Sequence, residues 1–81
     1  MRNIGEHIER AMRLETREAL TSAITKLSDT YREIIILRDI QGFSYEELAD
    51  ALQINAGTVK SRLSRARLAL RGMLTVMEQK I

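Results

Sequence analysis

The sequence predicts an all-α fold: a small four-helix domain containing a helix-turn-helix with a long C-terminal recognition helix. Three observations predict it. The 81 residues include no Pro and no Cys, and the few Gly sit near expected helix ends or inside the last helix, so no ring constraint or disulfide interrupts helical backbone. Val59, Leu63, Ala66, Leu70, Met73 and Met77 recur at steps of four and three, which draws one narrow apolar stripe along a helix. Ser28, Ser44 and Asn55 each precede a helical pattern, and these residue types cap helix N-termini by accepting from free backbone N–H groups.

Residues 4–27 read as the first helix. Ile4, Ile8 and Ala11 begin a stripe, and Leu20, Ala23, Ile24 and Leu27 complete a cleaner one. The charged run from Arg13 to Glu18 between them makes the segment 1–27 partly linker-like, with 28–81 as the helix-turn-helix unit of a single domain. Ser28 caps a second helix, YREIIILRDI, with Asp29 in its first turn, and Gly42 suits the position just past its end. The β-branched run Ile34–Ile36 favours a strand by propensity. The spacing of Tyr31, Ile34, Ile35 and Arg38 favours a helix buried over most of its circumference.

Ser44 opens a third, short helix over 44–52. Glu47 stands three residues after Ser44 to make a capping box, and Phe43 and Leu48 stand in hydrophobic-staple positions. Leu48, Ala51 and Leu52 are its expected inward face, with Ala49 small enough for close helix contact. Gln53 and Ile54 form a tight turn, and Asn55 caps the long helix. Short helix, tight turn, cationic second helix is the order of a helix-turn-helix.

Composition removes whole function classes. One small domain holds one modest core. No apolar run is long enough to span a bilayer, and the N-terminus has no signal-peptide core, so the expected location is cytoplasmic with no membrane partner. The absence of Cys excludes a thiolate metal site, the single His7 reads as a solvated side chain, and no cofactor is expected. Glu46 and Glu47 are adjacent and point about 100° apart on a helix, so they make no acid–base pair. A nucleophile with its base and a phosphate-cradling Gly loop are also missing, and an enzyme is not expected.

Charge is distributed unevenly. Residues 1–50 carry seven Lys/Arg against ten Asp/Glu, whereas residues 51–81 carry six against one. Five cations stand between Asn55 and Leu74, and no acid occurs between Asp50 and Glu78. With the apolar stripe turned inward, Ser61, Ser64 and Leu68 fall on the opposite face. Lys60 and Arg71 lie to one side of them, Thr58 and Arg65 to the other, and Arg62 and Arg67 flank the stripe. A surface helix usually mixes both signs; this one offers cations and hydroxyls, which suits DNA. Thr58, Lys60, Ser61, Ser64 and Arg65 are therefore the expected contact positions, since side chains near the start of the second helix reach base edges. Tyr45, at the start of the short helix, has two readings: a contact to a phosphate, or an exposed ring lying over the staple. Arg62 and Arg67 have the alternative of covering the core or reaching Glu46, Glu47 or Asp50. Gly57, in the first turn, suggests close approach to the short helix or to a phosphate.

The run LSDTYREIIILRDIQGFSYEELADALQINAGTVKSRLSRARLALRGML resembles domain four of bacterial RNA polymerase sigma factors of the extracytoplasmic-function type. The resemblance rests on YREIIILRDIQGFSYEELA and GTVKSRLSRAR and covers Leu27 to about Leu74. It implies that the long helix enters the major groove of the minus-35 promoter element. Lys60, Ser61, Ser64 and Arg65 would read bases, and Tyr45, Thr58 and Arg62 would contact the backbone. It implies further that Tyr31, Ile34, Ile35 and Arg38 dock the β flap of the RNA polymerase core, and that an anti-sigma factor covers the same surfaces. Two departures stand out. Ser28 occupies a place where the family commonly has Pro, and the companion domain that opens the minus-10 element is not in these residues, as in a fragment of a longer factor or a free-standing regulator. Leu68 and the acidic first half leave a second reading, a protein-interaction module that no longer reads DNA.

Overall fold

The computed structural model describes residues 16–79, with side chains described through Met77. The expected stripe Ile4–Ile8–Ala11 and His7 lie outside the described residues. Four helical segments follow one another: α1 (residues 16–25), α2 (Asp29–Ile35, continued by a π-helical stretch Ile36–Ile40), α3 (Tyr45–Leu52) and α4 (Ala56–Gln79). The all-α expectation holds for the described residues.

The core forms where apolar faces of all four helices meet. Ala23, Ile24 and Leu27 come from α1 and its end, Ile34 and Ile35 from α2, Leu48 from α3, and Val59, Leu63 and Ala66 from α4. Ile34, Leu48, Val59 and Ala66 have no exposed surface. Removing such side chains from water supplies about 1.5–3 kcal/mol each, the dominant favourable contribution to folding. Of the predicted α4 stripe, Val59, Leu63 and Ala66 are fully inside, while Leu70, Met73 and Met77 are half-buried.

Side chains close the joints between helices. At the α1–α2 corner Ser28 accepts from the Tyr31 N–H at 3.4 Å, a long bond that Arg32 reinforces from another direction. Its Nη2 donates to the carbonyls of Thr25 (3.1 Å) and Leu27 (2.8 Å), its Nε reaches the carbonyl of Ile24 (3.4 Å), and its Nη1 pairs with Asp29 (2.9 Å). Arg32 thereby supplies donors to carbonyls at the end of α1, of which Ile24 O also accepts from Leu27 N at 3.1 Å.

The widened turn of α2 departs from the sequence expectation of a plain α-helix. Gln41 N donates to Ile36 O at 2.9 Å, five residues back. The extra residue rotates everything after Ile36, which moves Arg38 and Asp39 round toward α3 and α4. Gly42 then ends the helix at φ +78°, a left-handed conformation that costs Gly little, with its N–H on Arg38 O (3.2 Å) and that of Phe43 on Leu37 O (2.9 Å).

In α3 both halves of the capping box form: Glu47 N donates to Ser44 Oγ at 3.0 Å and Ser44 N to Glu47 Oε1 at 2.8 Å. One inward assignment is corrected. Ala51 is exposed, whereas Ala49 and Leu52 pack against the core beside Leu48. At about 100° per residue the buried arc centres near Leu52, which takes in Ala49 and leaves Ala51 outside. Gln53 turns the chain with φ 56° and ψ 48°, left-handed without being Gly, and its side-chain Nε2 donates to Asp50 O at 2.8 Å. Asn55 Oδ1 accepts from Thr58 N at 2.8 Å, so the predicted N-cap of α4 is in place.

Candidate nucleic-acid interface

The caps and the core dictate which way α4 faces. With Val59, Leu63 and Ala66 inward, Lys60, Ser61, Ser64 and Arg65 are exposed on the outer side, and Thr58 and Arg62 are half-buried beside them. Ser61 Oγ donates back to Thr58 O at 3.2 Å, which directs the hydroxyl proton into the helix and leaves its oxygen free to accept. Lys60 and Arg65 have no acidic partner among the described residues. The base-reading and backbone positions named from sequence are thus brought onto one end of one helix, with Tyr45 across from them at the start of α3.

Between Tyr45 and the α4 side chains Lys60, Ser64, Leu68 and Arg71 lies an open groove floored by Leu63. Leu68 is 66% exposed in the midst of this cationic surface. One of the five α4 cations is neutralised: Arg67 Nε and Nη2 bond Asp39 Oδ2 (3.1 Å) and Oδ1 (2.6 Å). The expected partners for Arg67 on α3 are therefore corrected, because the rotated end of α2 brings Asp39 closer. The same bonds hold the Arg67 guanidinium still further above its ordinary pKa. At the opposite sign, the Glu47 carboxylate accepts from the Ser44 backbone and hydroxyl, which holds its pKa below the usual glutamate value.

The residues expected to dock a polymerase separate. Ile34 and Ile35 are 0% and 1% exposed, so they are core and present nothing to a partner. Tyr31 is half-buried at the edge of the core. Arg38 is turned inward: its Nη1 donates to Phe43 O at 2.7 Å, and its guanidinium carbon lies 5.0 Å from the centre of the Tyr45 ring. Ile40, the last apolar residue of α2, is 62% exposed. Gly57 is also corrected in part. A Cβ there would meet only Asn55 Oδ1, at 3.4 Å, so packing against α3 does not require glycine.

No group of three or more His, Cys, Asp or Glu that could hold a metal occurs among the described residues. Among those residues, too, no helix is long and apolar enough to cross a membrane.

Comparison with known proteins places this geometry. The family described as "Sigma-70, region 4" matches residues 17–70, and it is a non-enzymatic family of transcription initiation. The chain is 43% identical over 61 residues to the ECF RNA polymerase sigma factor SigW of Bacillus subtilis, covering 75% of this chain and 33% of that protein. It is 41% identical over 66 residues to the RNA polymerase sigma-H factor of Pseudomonas aeruginosa, covering 80% of this chain and 34% of that protein. With the ECF RNA polymerase sigma factor SigE of Mycolicibacterium smegmatis the identity is 42% over 55 residues, or 68% of this chain and 21% of that protein. The chain thus spans about a third or less of the curated relatives it matches.

Proposed function

The chain belongs to the sigma-70 region 4 family, and we propose that it binds promoter DNA at a minus-35 element while a second surface engages RNA polymerase core. The observation that carries this reading is the exposed α4 face bearing Lys60, Ser61, Ser64 and Arg65, which meets no acid on its own helix between Asp50 and Glu78. In the major groove, Arg65 has the bidentate geometry that selects guanine, and Lys60 and the two serines add contacts of lower selectivity. Tyr45, Thr58 and Arg62 lie at the margins of that face, where phosphates run. The mechanism is positioning: the domain fixes a duplex relative to a polymerase and does no chemistry.

Polymerase docking, proposed for the β flap, falls to side chains outside the core, Tyr31 and Ile40 foremost. An anti-sigma factor covering Tyr31, Ile40 and the α4 face would block both engagements. The exposed Leu68 favours a second reading, a protein-interaction module without DNA preference.

Selection and sequencing from a random duplex pool at two salt concentrations tests the first reading against the second. Enrichment of one short motif, lost in Arg65→Ala, is the expected outcome, together with uniform weakening in Lys60→Ala. Binding without enrichment that disappears as salt rises would leave the interaction module.

A further inference from the structure

Arg38 and Asp39 are neighbours on the widened end of α2, yet each holds a different helix of the helix-turn-helix. Arg38 takes the start of α3, through Phe43 O at 2.7 Å and the Tyr45 ring at 5.0 Å. Asp39 takes the middle of α4 through Arg67. These are the two walls of the groove that runs from Tyr45 past Lys60 and Ser64 to Arg71. We propose that Arg38 is a positioning residue for the DNA interface: it fixes the Tyr45 wall of this groove at the spacing that admits a backbone phosphate.

The chemistry is specific to arginine. The planar guanidinium donates in its plane to a carbonyl and meets an aromatic ring with its face at once. Phe43 O stands at the end of the α2–α3 turn, so this bond fixes the backbone one residue before the Ser44 cap as well as the ring after it. Arg38 itself is half-buried, and these two contacts turn it toward α3. On this proposal its effect on DNA passes through Tyr45. Across the groove, α4 is seated by its buried Val59, Leu63 and Ala66, so a shift of Tyr45 changes the opening directly.

This inference rests on the DNA-binding reading and on Tyr45 as a backbone contact, and a double-mutant cycle separates the two. Duplex affinity is measured over a salt series for the parent, Arg38→Met, Tyr45→Leu and the double variant, with helix content and melting temperature followed in parallel. The expected result is about a tenfold loss in Arg38→Met, the scale of one charge-assisted hydrogen bond, with the slope of log affinity against log salt unchanged. The double variant then binds no worse than Tyr45→Leu alone, and Arg38→Lys recovers part of the loss. Weakened binding in Tyr45→Leu with parental binding in Arg38→Met overturns the positioning role and leaves the DNA reading standing. A salt slope reduced by about 0.9 in Arg38→Met makes Arg38 a phosphate contact and overturns it too. Parental binding in Tyr45→Leu removes the Tyr45 contact, and the proposal with it. If Arg38→Met melts before it can be measured, Arg38→Gln, which also removes the charge but keeps a donor, decides on the same slope and coupling criteria.

Discussion

Asp39 and Arg67, 28 positions apart, are joined by two parallel hydrogen bonds of 3.1 and 2.6 Å. One carboxylate from the acidic half of the chain thereby withdraws one cation from the helix proposed to meet DNA. Asp39→Asn should release it. The expected outcome is tighter, less selective duplex binding with a salt slope steeper by about 0.9. The loss of folding stability should stay at or below about 1 kcal/mol, the usual worth of a pair this exposed. Filter binding across a salt series and chemical denaturation check the two parts separately.

Arg32 fastens the α1–α2 corner through three carbonyls and Asp29. Arg32→Ala leaves those carbonyls to water at a partly buried joint, and the expected cost is about 2 kcal/mol. Urea denaturation gives the value. Asp29→Ala, which removes only an exposed partner, should change stability by no more than about 0.5 kcal/mol.

Glu47 sets a pH dependence. Its carboxylate is stabilised in the folded state by the Ser44 backbone N–H and hydroxyl, so its pKa there lies below the unfolded value. The stabilisation is then fully present above the ordinary glutamate pKa of about 4.3 and is lost as pH falls through the lowered folded value. Melting temperatures of the parent and Glu47→Gln, taken from neutral pH downward, should differ most near neutrality and converge on acidification below that point.

Gln53 adopts the left-handed region at φ 56°, which costs a side-chain-bearing residue about 1–2 kcal/mol. Glycine removes that cost but adds backbone entropy in the unfolded chain of about 0.5–1 kcal/mol. Gln53→Gly also gives up the Nε2 bond to Asp50 O, so the gain should be nearly offset and stability should change by no more than about 0.5 kcal/mol, read by thermal unfolding. Gly42→Ala, at φ +78°, should lower stability by about 0.5–1 kcal/mol once the same entropy is set against the strain.

What the sequence made legible is what is local. Caps at Ser44 and Asn55, the box with Glu47 and the helical end at Gly42 all act within three or four residues, and each formed as expected. The outward face of α4 followed from its stripe for the same reason, since burial of Val59, Leu63 and Ala66 leaves the opposite side one orientation. The rest depended on through-space meetings. Nothing near Asp39 points to Arg67, and nothing near Arg38 announces that it will stack on Tyr45. Both follow from one additional residue in a helical turn, which a run of Ile and Leu does not signal. Ile34 and Ile35 were legible as apolar and helical. Whether apolar means core or contact surface is settled only by what packs against them.

The helix ends of this domain carry a kinetic consequence. Nearly every capping and turn-closing bond spans five residues or fewer. Each helix boundary is consequently defined before distant parts of the chain have met, and few large loops must close on the way to the native state. Chains built this way fold quickly, in microseconds to milliseconds. In this one the α3–turn–α4 unit has its boundaries written locally, and the Asp39–Arg67 link is the kind of contact that forms only after the helices have found each other.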